Sequence, residues 1–260
     1  MSTLRFNEDS ARRLEAVYMT PDIVRQREAT LDLLNLSPGL AVVDIGSGPG
    51  FLCESMGATV GRGGRVLGLD ISDDLLAAAR RRNASSHITY QHGDAQALDL
   101  PDASFDVAVS TQVFEYVPDC DRALREMHCI LRPGGRALVV ATDWDGVVWH
   151  SSNRERMARL LRAWETHCAD PRLPRTLAPR LRAAGFTVDD VRGHPIINLR
   201  LGSDTYSQGI MELLANYVRK RNSAMSAEVD AWAADLRALS EQGRYFFALT
   251  RFMVSASKAS

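Results

Sequence analysis

Residues 41–52, "AVVDIGSGPGFL", pass from a short apolar run through an acid, Asp44, into a turn that carries Gly46, Gly48 and Gly50. A continuous apolar run of this length reads as a strand buried on both faces, as in parallel sheets. Glycines this dense after such a strand let backbone come close to another group with no Cβ between them. Outward from this stretch the pattern alternates. Thr20-Pro21 opens a helix that runs to about Leu36, with proline at the first helical position. Strands are expected at residues 41–45, 66–70, 88–92, 105–110 and 136–142. Helix patterns lie between them at about 51–60, 72–82 and 119–131. The second opens at Ser72 with two acids in its first turn, and "RPGG" offers a glycine C-cap to the third. Strands separated by helices imply βαβ crossovers, hence an α/β fold with a mostly parallel sheet covered on both faces.

After Thr142 the rhythm changes. A helix over about 153–167 carries Met157, Leu160, Leu161 and Trp164 on one stripe, and a strand is expected near 187–191. Two further helices are expected at about 205–220 and 227–242. Val229, Trp232, Leu236 and Leu239 form the apolar stripe of the second. The run "YFFALTRFMVSA" reads as the closing strand. This divides the chain into an N-terminal helical cap segment, 1–36, and a main domain, 37–260. Residues 203–242 form a helical insertion before the last strand, placed where such insertions cover a ligand crevice or form a dimer surface.

Composition narrows the function. The 260 residues are 45% hydrophobic and 24% charged with a formal net charge of −1, an ordinary globular balance with no general attraction for nucleic acid or anionic lipid. Lys220 and Lys258 are the only lysines, and the arginine-dense stretch 154–182 is interleaved with acids and prolines, as in a solvated helix face. No run reaches the ~18 apolar residues of a membrane span. The polar N-terminal stretch has no apolar signal core, so a cytoplasmic protein is expected. Cys53, Cys120, Cys129 and Cys168 lack metal or disulfide-framework spacing.

The glycine turn is not a pyrophosphate loop. Phe51 stands where the dinucleotide fingerprint would place its third glycine, and no Gly-Lys-Ser/Thr follows. What remains is a tight turn with little side-chain bulk. The next strand ends in "LGLDIS", where Asp70 can accept from a ribose diol. The one after it ends in "HGDAQAL", where Asp94 can accept from an exocyclic amine. In open α/β sheets ligands sit outside the carboxyl ends of the strands, and three successive ends here offer a bare turn, an acid and an acid.

"VVDIGSGPG", "LGLDIS", "GDAQALDLPDASFDVAVST" and "LREMHCILRPGGRALV", in this order, resemble class I S-adenosylmethionine-dependent methyltransferases. They resemble the small-molecule branch that includes the ubiquinone and menaquinone enzymes, over roughly residues 36–142. The resemblance implies a Rossmann-like, seven-stranded sheet and S-adenosyl-L-methionine as cofactor. It puts Gly46, Ser47 and Gly48 beneath the methionine part, Asp44 in support of the turn or of water bound to it, Asp70 on the ribose and Ile71 on the adenine face. Asp94 and the Ala95 backbone would meet the adenine amine, and Thr111 and Gln112 would lie near the sulfonium. In related enzymes the N-terminal segment often folds over the cofactor, so Arg27 is expected on its carboxylate and Tyr18 above the site.

Methyl transfer is an in-line displacement in which placement dominates, and a base helps only where the acceptor must lose a proton. Acceptor-side candidates follow the fourth and fifth strands: Glu115, Tyr116, Asp143, Trp144, Asp145 and Trp149, with His150 as first choice of base. This density of aromatic and ionisable groups suits an aromatic or polycyclic small molecule. "STQVF" departs from the motif of enzymes acting on amino groups of DNA bases. Cys120 lacks the preceding proline of cytosine-C5 enzymes, "DWD" departs from the metal-binding pair of catechol-type enzymes, and the scattered cysteines depart from the arsenic enzymes; no metal is expected. Two other functions stay open: a protein of this fold that binds the cofactor without transferring methyl, as a cyclase, decarboxylase or binding protein, and, more weakly, a nicotinamide oxidoreductase.

Overall fold

A computed structural model describes residues 15–260, so the first part of the expected cap segment, 1–14, lies outside the described residues. Helix α1, Pro21–Leu34, starts on proline and ends at Asn35 in the left-handed region (φ 44°). Strand β1, Ala41–Ile45, is buried throughout. Then follow α2 (Phe51–Val60), β2 (Arg65–Asp70), α3 (Asp73–Arg82), β3 (Ile88–His92), β4 (Phe105–Thr111) and α4 (Cys120–Ile130). The Ser72 hydroxyl accepts from the Leu75 amide at the start of α3. Its first turn holds Asp73 and Asp74 and its last turn three arginines, all placed with the helix dipole.

β5 (Leu131–Thr142) follows α4 without a turn. The "RPGG" stretch is therefore not a helix C-cap. Leu131 already pairs with Phe105, and the glycines sit in the irregularity before the ladder resumes at Val107 and Arg136. β6 (Val148–Trp149), α5 (Arg154–Glu165), α6 (Pro174–Ala183), β7 (Phe186–Asn198), α7 (Tyr206–Arg221), α8 (Ser226–Glu241) and β8 (Phe247–Lys258) complete the described chain.

The sheet runs β3-β2-β1-β4-β5-β8. The first five strands are mutually parallel, and β8 is antiparallel to β5. β7 pairs along the whole of β8, and β6 adds a two-residue pairing at Ala248 and Phe247. Eight strands thus stand among the described residues where seven were expected, because β6 is too short to leave a pattern. β7 is also far longer than residues 187–191. It continues through Gly193 and Pro195, which an edge strand tolerates because its outer side donates to no ladder.

Two buried clusters fill the faces of the sheet. One joins β1, β4 and β5 to α4 and α6; the other joins β1, β2 and β5 to α2. A third cluster lies beyond the strand tips, where α5, α7 and α8 pack on one another, and it takes in the Val229–Trp232–Leu236 stripe. Asp22 of α1 ties this cluster down. Its Oδ2 accepts from the Tyr206 amide at the start of α7 (3.0 Å) and from Asn198 Nδ2 at the end of β7 (2.8 Å). A carboxylate at a helix N-terminus satisfies an orphan amide and suits the dipole. The 203–242 segment is thereby fixed over the carboxyl ends of the strands.

Candidate functional site

At those ends the chain encloses a cavity of about 450 Å³, within the ~300–1,000 Å³ usual for small-molecule sites. One wall is the turn after β1. The Gly46 and Ser47 amides both donate to the Leu69 carbonyl (2.7 Å each), which folds the turn back onto β2. Gly46 has φ +81°, and a Cβ there would stand 2.1 Å from a Val113 methyl. Gly48 has φ +52°, and a Cβ there would meet only the Tyr18 hydroxyl, at 3.9 Å. Its bare side therefore opens towards Tyr18, which lines the cavity and stacks on Phe51 (5.9 Å between centroids).

Asp70, at the tip of β2, lines the same wall. Its two oxygens accept from the Gly48 amide (2.8 Å) and the Ser72 amide (2.9 Å). Burial pushes its carboxyl up, and these amides pull it back. Each carboxylate oxygen retains a lone pair for a further donor. Ile71 beside it lines the cavity although 56% exposed, an apolar surface left open to a flat ligand. Asp94 and Ala95 line the next section, with Asp94 Oδ1 accepting from the Gln96 amide (2.9 Å). Thr111 and Gln112 close it at β4. Gln112 has φ +60°, a strained conformation for a residue with a Cβ, of the kind that concentrates at functional sites.

Gly46, Gly48, Asp70, Ile71, Asp94, Ala95, Thr111, Gln112 and Tyr18 are thus brought to one cavity. Arg27 is not. It lies outside, with Nη1 donating to the Tyr18 carbonyl and its guanidinium over the Phe51 ring, so it buttresses Tyr18 from behind. Ser47 is buried under the turn. Asp44 is 1% exposed and makes no bond to the turn amides; its Oδ2 meets the Cys53 thiol (3.5 Å), and its Oδ1 has no partner.

Burial pushes Asp44 up to about 7. A carboxyl whose folded pKa lies above its unfolded value holds its proton more tightly when folded. Its stabilising contribution is complete below about pH 4 and is lost as the pH rises through 7. Asp44→Asn keeps the shape and removes the charge. Its melting temperature relative to wild type is expected to rise steadily between pH 5 and pH 8; a difference independent of pH would contradict this.

On the far side of the cavity Tyr116 and Trp144 are in place, joined by Trp164, Tyr206 and Arg251. The other acceptor-side expectations are corrected. Asp143 and Asp145 are held in an outer ion-pair network by Arg175 and Arg172. Trp149 is packed edge-on against Trp232 (5.2 Å) and Phe247 (4.9 Å). His150 is exposed, lies outside the cavity, and donates its backbone amide to Phe246. Glu115 is fully buried behind the wall and pushed up to about 7 by burial. Its Oε1 accepts from the Thr142 amide (3.3 Å).

His167, which the spacing of the histidines did not single out, sits behind Tyr116. Its Nε2 lies 3.4 Å from the Tyr116 hydroxyl, and its ring stacks on Trp164 at 3.7 Å. Burial pushes its pKa down to about 4, so the ring is neutral at pH 7 and can take a hydrogen bond from Tyr116.

Residues 43–139 match the family model described as a methyltransferase domain. The chain is 34% identical over 179 residues to an uncharacterized 37.1 kDa protein in transposon TN4556 of Streptomyces fradiae, covering 66% of this chain and 51% of that one. It is 35% identical over 115 residues to the ubiquinone/menaquinone biosynthesis C-methyltransferase UbiE of Shewanella oneidensis, covering 43% and 46%. The chain spans about half the length of these curated relatives. Among solved structures, the Haemonchus contortus phosphoethanolamine N-methyltransferase 2 in complex with S-adenosyl-L-methionine shares the fold at TM-score 0.65. That likeness has 17% identity, over 100% of this chain and 59% of that one. The [4+2]-cyclase SpnF shares it at TM-score 0.57 and 23% identity, over 90% and 81%. The chain has the Rossmann-like fold of these neighbours, and the glycine turn and the tips of β2 and β3 all fall within residues 43–139.

Proposed function

We propose that this chain is an S-adenosylmethionine-dependent methyltransferase acting on an oxygen, nitrogen or carbon atom of an aromatic small molecule. The reading rests above all on Asp70. Its carboxylate is fixed by the Gly48 and Ser72 amides at the tip of β2, lines the cavity, and keeps lone pairs for two hydroxyl donors. With Gly48 on one side and Ile71, Asp94 and Ala95 on the other, this wall suits an adenosyl group whose amino-acid tail passes over the bare turn. The donor supplies a methyl group on a sulfonium, a neutral leaving group once the methyl has gone.

The protein's part is placement and exclusion of water. Asp70 and Asp94 hold the donor, Tyr18 covers the turn, and α7, pinned by Asp22, covers the acceptor. Tyr116, Trp144 and Trp164 give the acceptor region flat aromatic walls. Where the acceptor is a hydroxyl, Tyr116 with the neutral His167 behind it is the pair placed to relay its proton, the role expected of His150.

Incubation with methyl-labelled S-adenosylmethionine and a panel of phenols and aryl amines tests the reading. Label is expected in at least one acceptor, with an equal amount of S-adenosylhomocysteine. An acceptor converted with no label and no demethylated cofactor would instead favour a binding or cyclising role.

A further inference from the structure

The cavity wall contains a buried cation that the donor site leaves unused. Arg251 sits on β8 among Leu249 and Met253, is 4% exposed, and lines the cavity. One of its terminal nitrogens donates to the Thr142 hydroxyl and the other to the Tyr206 hydroxyl (2.7 Å). Its Nε has no hydrogen-bond partner. An arginine keeps its charge when buried, and a buried charge is costly unless an opposite charge meets it.

No ion pair to Arg251 stands among the described residues, although two acids lie in its neighbourhood. Asp22 is engaged by Arg25, Asn198 and the Tyr206 amide. Glu115 accepts from the Thr142 amide, and burial holds its carboxyl up despite the pull of Arg251, so it is not a firm counter-charge. His194, paired with Arg251 across the β7–β8 ladder, is pushed down towards the neutral form by burial and by the charges of Arg25 and Arg251. The phenols of Tyr18, Tyr116 and Tyr206 carry no charge at neutral pH and are pushed further from ionising by burial.

We infer that the acceptor carries a carboxylate, and that Arg251 and Tyr206 bind it. Tyr206 accepts from Arg251, so its own O–H remains to donate to an anion bound where the two residues line the cavity. The inference rests on the methyltransferase reading and extends it to the acceptor's chemistry. Placement separates this carboxylate from the donor's own. β8 lies three strands from β1, about 14 Å at ~4.8 Å per strand, whereas the glycine turn on which the donor's tail would lie follows β1 itself. A sulfonium and a guanidinium in one cavity also repel, and an anion on the acceptor between them offsets that repulsion.

The test uses the full chain loaded with S-adenosylhomocysteine, titrated with benzoate, phenylacetate and 4-hydroxybenzoate and with their methyl esters. At least one carboxylate is expected to bind ~10-fold or more tightly than its ester, as charge-assisted pairing requires. Arg251→Gln is expected to erase that preference, and Arg251→Lys to keep part of it. S-adenosylhomocysteine affinity should change less than ~3-fold in either variant. Circular dichroism reports folding, and the wild-type comparison of acid with ester needs no variant. Equal binding of every acid and its ester overturns the proposal. So does a loss of S-adenosylhomocysteine affinity in Arg251→Gln as large as the loss for carboxylates, which would give Arg251 to the donor's tail. If wild type fails to bind S-adenosylhomocysteine, the methyltransferase reading falls. The same acid–ester comparison on the ligand-free protein then supports or overturns the anion site by itself.

Discussion

Asp70→Ala is expected to weaken S-adenosylhomocysteine binding at least ~100-fold with the fold retained. Two hydroxyl donors on a half-buried carboxylate contribute about 1.5–3 kcal/mol each, so losing both costs upwards of about 3 kcal/mol. The same carboxylate orients the Gly48 and Ser72 amides, and its loss also loosens the turn over which the donor's tail would pass. Asp70→Asn keeps the shape and one acceptor oxygen, so its loss should be smaller. Calorimetric titration of the three proteins gives the ranking directly. Equal affinity for wild type and Asp70→Ala would remove the nucleoside from the tip of β2.

The largest effect on stability is expected at Gly46. Alanine there meets the Val113 methyls at 2.1 and 2.9 Å and the Val113 Cβ itself at 3.0 Å, so turning the valine about χ1 does not relieve the clash. It must also hold φ +81°, which costs a residue with a Cβ about 1–2 kcal/mol. Overpacking adds about 1–3 kcal/mol. Together they predict a melting temperature lower by about 6–15 °C for a chain of this size. Gly39→Ala separates the two costs, because Gly39 has φ +89° with nothing within 4 Å of an added Cβ. Its melting temperature should fall by much less. If the two variants melt alike, the close approach of Val113 to the turn is not what requires glycine.

The parallel half of the sheet was legible because β1, β2 and β4 are mostly apolar runs of ordinary length, each leading through a turn into a helix, and β3 ends on the turn that carries Asp94. The distal half was less so. β7 runs on through Gly193 and Pro195, two residues that end a strand pattern yet fit an edge paired on one side only. β6 is two residues long and exists because Val148 and Trp149 meet the start of β8 across more than ninety residues of chain.

The donor wall could be read because its chemistry lies in local order, with a turn or an acid directly after each strand. The acceptor wall is assembled by tertiary packing. "DWDGVVWH" looked like a cluster of reactive groups, yet Asp143 and Asp145 turn outward to arginines of α6 and the loop before it, and Trp149 turns into the helical insertion. Arg251 did leave a trace. In β8, Phe247, Leu249, Arg251 and Met253 share the buried phase of an alternating strand, so the arginine occupies a core position. A charge on the inward phase of a strand is the signal that would have marked it. His167 left none, because its nearness to Tyr116 depends on how α5 packs over the strand tips.

The central claim is that the tips of β1, β2 and β3 hold an adenosyl donor and not a dinucleotide. Its most direct test is calorimetric titration of the purified chain with S-adenosylhomocysteine and, separately, with NAD. Saturable one-to-one binding of the first and none of the second is the result the geometry predicts. Binding of NAD, or heats no different from dilution with both, would contradict it.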